Sequence, residues 1–133
     1  MNSNYKIKKI SKKFPADKLK DFFDRSQPGK TLDQCKKIIE KSSIVGAFIE
    51  DKLVVIGRAL DDGVYAMITD INTDPNYRHH GIGTTITKKL INLLDKKDIK
   101  VIHCGTDKHL IEFYKNCGFT YDPEEATLYR FNL

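Results

Sequence analysis

Arg78-His79-His80-Gly81-Ile82-Gly83 stands between an apolar run, Val64 to Thr73, and an amphipathic stretch that reaches about Lys96. The run before it reads as a strand and the stretch after it as a helix. Two glycines at a helix start let the backbone come close to a ligand and leave the first N–H groups free. Those groups, with the positive end of the helix dipole, form an anion site. Arg78 adds a forked donor suited to phosphate. The stretch therefore predicts a phosphorylated ligand.

The elements on either side follow from periodicity and turn chemistry. Tyr5 to Ile10 reads as a first strand. Pro15-Ala16-Asp17 opens a helix with Leu19, Phe22 and Phe23 on one side. Thr31 and Gln34 have capping-box spacing for a second helix, whose buried stripe reads Leu32, Cys35, Ile38 and Ile39. Ile44 to Ile49 and Leu53 to Leu60 form a hairpin around Glu50-Asp51-Lys52. Asp61-Asp62-Gly63 is a second tight turn, leading into Val64 to Thr73, which is apolar on both faces in its first half, as for a central strand. In the helix from Gly81, the core stripe is Ile82, Ile86, Leu90, Leu93 and Leu94. Ile99 to His103 is a short strand, and Asp107 to Cys117 a helix with Leu110, Phe113, Tyr114 and Cys117 inward and Gly118 as its stop. Phe119 to Tyr121 and Thr127 to Asn132 read as two last strands.

The order is β-α-α-β-β-β-α-β-α-β-β. Hairpins make the first strands antiparallel, and the helix from Gly81 is a crossover that makes its flanking strands parallel. The expected fold is α/β: one mixed central sheet of about seven strands with helices on both faces.

With 133 residues, 40% of them hydrophobic and 31% charged, the chain reads as one soluble domain spanning 1–133. No apolar run approaches the roughly 20 residues that cross a membrane. Met1-Asn2-Ser3-Asn4-Tyr5-Lys6 lacks the apolar core of a signal peptide, so a cytoplasmic protein without membrane partner is expected. The net charge of +5 comes from scattered lysines, without the basic run and interleaved aromatics that nucleic-acid binding would want. Cys35, Cys104 and Cys117 form no C-x-x-C pair, and the four histidines lack H-E-x-x-H spacing. His103-Cys104 reads as a strand end rather than half a metal site, so no metal is expected.

Three phosphate-binding patterns compete for the central stretch. A Walker-type loop needs a Lys-Ser/Thr pair after its last glycine, but Thr84-Thr85 follow Gly83. A dinucleotide fingerprint needs a third glycine where Ile86 stands. The third pattern, Arg/Gln-x-x-Gly-x-Gly/Ala, fits. The run from Asp70 through Asn72, Asp74-Pro75-Asn76-Tyr77 and Arg78 to Gly83, with Phe113-Tyr114-Lys115-Asn116-Cys117-Gly118-Phe119, resembles the GNAT superfamily of N-acetyltransferases. Gly57 to Gly63 is similar to a subgroup of its small single-domain members.

That resemblance implies the same element order and an acetyl-CoA-dependent acyltransferase. It implies that backbone groups of Ile71, Asn72 and Thr73 pair with the pantetheine arm between splayed strands. It also implies that the pyrophosphate sits on the N–H groups of Arg78, His79, His80, Gly81, Ile82, Gly83 and Thr84. Asp107 stands where the family often has an asparagine that contacts pantetheine, although it also reads as a helix cap. An amine must lose a proton before attacking a thioester, and Asp70 is the carboxylate best placed to take it, or a water chain does so. A backbone N–H near Ile71–Asn72 would stabilise the thioester oxygen. Tyr114 matches the tyrosine that protonates the departing thiolate. The resemblance further implies that the acceptor is a primary amine on a small molecule or a protein, entering near Phe22, Phe23, Arg25, Ser26, Gln27, Tyr121, Asp122, Glu124, Glu125 and Tyr129. The acidic residues there attract a cation or simply form a solvated turn. A homodimer is left open. The alternative function is a non-catalytic acetyl-CoA sensor of the same fold.

Overall fold

The computed structural model describes residues 4–78 and 81–131. One sheet of five strands carries the chain, in the spatial order β1-β2-β3-β4-β5. The strands are β1 (Tyr5–Lys9), β2 (Ser43–Ile49), β3 (Lys52–Asp61), β4 (Tyr65–Thr73) and β5 (Val101–Cys104). The first four pair antiparallel, and β4 pairs parallel with β5. The helices are α1 (Ala16–Ser26), α2 (Leu32–Lys41), α3 (Ile82–Lys96) and the short α4 (Ile111–Asn116).

Alternation along β2 and β3 sorts the core into two layers. Ile44, Phe48, Leu53 and Ile56 pack with Leu19, Phe22, Phe23, Cys35, Ile38 and Ile39 of α1 and α2. Val45, Ala47, Val54, Val55 and Ala59 pack on the other face with Ile86, Leu90 and Leu94 of α3. Both faces of the sheet are thus covered, as the expected order requires. The α2 capping box is present: Gln34 N–H donates to Thr31 Oγ1 at 3.1 Å, and Thr31 N–H to Gln34 Oε1 at 2.9 Å. Gly57 allows α3 to close on the sheet, since a Cβ there would stand 2.6 Å from Ile71 Cδ1 and 2.8 Å from Ile86 Cγ2.

Several expectations need correction. Among the described residues the sheet has five strands, not about seven. Neither Phe119–Tyr121 nor the described part of Thr127–Asn132 pairs with a neighbour, and Asn132 lies outside the described residues. Alternation suggests a strand, but a strand needs a hydrogen-bonded edge. Here Leu128, Tyr129 and Phe131 stay exposed, and Tyr129 stacks on Phe131 at 5.8 Å. β4 begins at Tyr65 because the Asp62 carboxylate accepts the N–H groups of Val64 and Tyr65 and prolongs the turn. Tyr65 and Met67 are exposed, so the first half of β4 is buried on one face only. The helix expected over Asp107–Cys117 is a 3-10 turn, Lys108–Leu110, followed by α4. Leu32 and Leu110, at the ends of their stripes, overrun the core and are exposed.

Candidate active site

The site is built around an irregularity in β4. Ile56 pairs with Asn72 and Arg58 with Thr69, so Gly57 alone faces both Asp70 and Ile71. This is a bulge, with Asp70 at φ +53°. A left-handed residue other than glycine costs about 1–2 kcal/mol, and aspartate is among the few that tolerate it. The surroundings hold it there. Arg58 Nε donates to Asp70 Oδ2 at 2.6 Å, and Arg58 Nη1 donates to Ser42 Oγ at 3.0 Å. Lys30 Nζ, from the α1–α2 loop, stands 3.9 Å from Asp70 Oδ1.

Beyond the bulge, β4 and β5 separate. Their pairing ends at Ile68–Cys104, while β4 continues to Thr73. The edge of β4 over Thr69–Thr73 therefore has no β5 partner, and it includes Ile71, Asn72 and Thr73. An open strand edge offers main-chain donors and acceptors to an extended ligand. Asn72 Nδ2 donates to Gln27 Oε1 at 3.1 Å, which ties this end of β4 to the end of α1.

The turn after β4 is pinned from inside. Asp74 is 1% exposed. Its carboxylate accepts from Asn76 N–H at 2.9 Å and pairs with Arg25 Nη1, while Arg25 Nη2 donates to Leu53 O at 3.2 Å. Arg78 follows the 3-10 turn Pro75–Tyr77. Gly81 caps α3 at φ +75°, a conformation that glycine adopts without strain. The first turn of α3 contains Ile82, Gly83 and Thr84, whose N–H groups have no acceptor within the helix. Gly83 fits closely under α4, since a Cβ there would meet the Phe113 ring at 3.4 Å. His79 and His80 lie outside the described residues.

Tyr114 is half-buried on α4, edge-to-face with Phe113 at 4.9 Å and Phe119 at 5.8 Å. It lines a cavity of about 630 Å³ with His103, Cys104, Gly105 and Tyr121, within the size range of small-molecule sites. Burial pushes its phenol well above the usual tyrosine range, aided by the neighbouring Cys104 and by the charge of Asp70. Burial raises the Cys104 thiol too. Asp107 precedes the 3-10 turn, but its side chain makes no capping bond, which removes the helix-cap reading. Asp122 accepts Glu124 N–H at 2.9 Å, as in the solvated-turn reading, and lines the same cavity as Tyr114 together with Glu125.

The fold thus brings Asp70, the open edge of β4, the start of α3 and Tyr114 to one end of the β4–β5 pair. Arg58, Lys30 and Ser42 join the site unforeseen. Arg58 stands on β3 opposite Thr69, next to the bulge, and its approach to Asp70 becomes readable only once the bulge fixes register.

Comparison with known proteins agrees with this fold. The model of the family described as "Acetyltransferase (GNAT) family" matches residues 9–119. GCN5-related N-acetyltransferase 2, chloroplastic, of Arabidopsis thaliana is 38% identical over 76 residues, 56% of this chain and 30% of that protein. The chain spans between 30% and 46% of the length of the first curated relatives it matches. A GNAT-family acetyltransferase of Streptococcus pneumoniae superimposes with a TM-score of 0.79 at 21% identity, covering 96% of this chain and 98% of the other. The aminoglycoside N-acetyltransferase AAC(6')-Iy, in complex with CoA, gives 0.77 at 14% identity, covering 100% and 98%. At such identities the likeness speaks for the fold.

Proposed function

This chain belongs to the GNAT acetyltransferase family, and we propose that it moves an acetyl group from acetyl-CoA to a primary amine by direct attack on the thioester. The observation that carries this reading is the parting of β4 from β5 after Ile68, beside the N-terminus of α3. A strand edge and a helix start, side by side, suit a ligand with an amide-bearing arm and a pyrophosphate. A structural neighbour holding CoA supports the same donor.

In this reading the backbone of Ile71, Asn72 and Thr73 pairs with the pantetheine arm. Arg78 and the N–H groups of Gly81 to Thr84 hold the pyrophosphate. Asp107, with its carboxylate free of a cap, stands where the arm passes. The amine arrives on the Asp70 side of the bulge. Asp70 takes its proton, and Arg58 holds the carboxylate in place. A backbone N–H at Ile71–Asn72 meets the thioester oxygen as it gains charge.

Tyr114 delivers the last proton. A phenol raised by burial holds that proton at neutral pH until a strong base touches it. The departing thiolate takes the proton as the C–S bond breaks, in surroundings whose burial raises the Cys104 thiol as well. Burial thus raises the proton donor and a thiol beside it in the same direction.

Release of free thiol from acetyl-CoA, measured against a panel of primary amines on small molecules and peptides, tests the reading. Amine-dependent release supports it. A shift in melting temperature with acetyl-CoA but no release with any amine would favour a binding protein instead.

A further inference from the structure

The α1–α2 loop carries one of the chain's own primary amines to the bulge. Lys30 Nζ lies 3.9 Å from Asp70 Oδ1 and 4.6 Å from the centre of the Phe23 ring. A carboxylate and an aromatic face are the two groups that recognise an alkylammonium. Arg58 takes the other oxygen of Asp70, so Oδ1 remains for the amine. The Lys30 side chain is 24% exposed, whereas Lys37, paired with Asp33 one turn away, is 69% exposed. Lys30 is thus drawn inward, to the residue whose charge also reaches the Tyr114 hydroxyl. Amine and carboxylate meet at the bulge, where the edge of β4 opens.

We propose that Lys30 is a self-acetylation site, an acceptor that the chain supplies to its own chemistry. The inference rests on the acetyl-CoA reading above. Lys30 Nζ gives a proton to Asp70 and attacks the thioester carbonyl carbon. The N–C bond forms and the C–S bond breaks. The ammonium gives up two protons in all. One passes through Asp70 to solvent, and the sulfur takes up one by way of Tyr114, which recovers it from the amine through solvent. The product is a neutral amide beside Asp70, in the place an external amine must enter.

The test is incubation of the full chain with acetyl-CoA and no added amine, followed by intact mass and peptide mapping. One acetyl group per chain is expected, on Lys30, at a rate independent of protein concentration. Lys30→Arg should remove it, and Tyr114→Phe should slow it by about 10²–10⁴-fold, the usual range for a general acid. Lys37 reports uncatalysed labelling in the same digest. Lys30 labelled no faster than Lys37, or at a rate indifferent to Tyr114→Phe, would overturn the inference. Thiol release with added amines on the same sample separates the two claims. Turnover with Lys30 unmodified overturns self-acetylation and leaves the proposed function standing. Absence of both acetyl-CoA binding and thiol release removes both.

Discussion

Arg58 Nε lies 2.6 Å from Asp70 Oδ2, so a residue on β3 holds the left-handed residue of the β4 bulge by its side chain. The pair does two things. It fixes a backbone conformation that would otherwise relax, and it presents a carboxylate at the point where β4 loses its neighbour.

Asp70→Asn keeps a side chain that tolerates positive φ but removes the charge. The expected result is a fall in kcat with acetyl-CoA affinity nearly unchanged, because the proposed role of the carboxylate is toward the amine rather than the donor. Arg58→Ala should lower kcat and also destabilise, by about 1.5–3 kcal/mol for a lost charge-assisted hydrogen bond. Urea unfolding and steady-state kinetics on the two variants separate these effects. Wild-type kcat in Asp70→Asn would move the proton-accepting role to water.

Tyr114→Phe should lower kcat by about 10²–10⁴-fold and leave the dissociation constant for CoA alone, since the ring and its contacts to Phe113 and Phe119 remain. The same variant predicts a change in alkaline stability. Below about pH 10 the folded and unfolded chains both hold the phenol proton. As pH rises past that, the unfolded chain loses it first, because the folded phenol is raised by burial. Stability is therefore lost as pH rises toward the folded value. Urea midpoints at pH 8 and pH 10.5 should draw closer together in Tyr114→Phe than in the wild type.

Arg25→Ala should be among the most damaging single changes outside the apolar core. It leaves the Asp74 carboxylate, 1% exposed, without its cation. Breaking a buried pair from one side costs about 3–5 kcal/mol. Because Asp74 caps the turn that carries Arg78, acetyl-CoA affinity should fall together with the unfolding midpoint. A midpoint within experimental error of the wild type would show that the pair is dispensable.

Local features were legible in the sequence where one segment holds the whole signal. Leu19, Phe22 and Phe23 lie within two turns of α1, and Thr31 and Gln34 meet within one turn of α2. Asp70, Tyr114 and the glycines of the α3 cap could be named because each belongs to a motif. Arg58 and Lys30 could not be joined to Asp70, because the register across a bulge depends on where the extra residue falls. Arg25 and Asp74 are 49 residues apart and meet only through the packing of α1 on the sheet. Thr127 to Phe131 misled for the opposite reason: alternation is a property of the segment, but pairing needs an edge that the segment does not contain.

Acetyl-CoA titration followed by thermal unfolding, on the wild type and Gly81→Val, tests the central claim most directly. A ligand that binds only the folded chain stabilises it by about 2.7 kcal/mol at a hundredfold excess over its dissociation constant. Valine at φ +75° is strained by about 1–2 kcal/mol and distorts the start of α3 that is proposed to hold the pyrophosphate. The wild type should show a rise in melting temperature that saturates with acetyl-CoA, and Gly81→Val should show a lower starting temperature and little or no rise. A well-folded wild type whose melting curve stays unmoved at saturating acetyl-CoA would contradict the account.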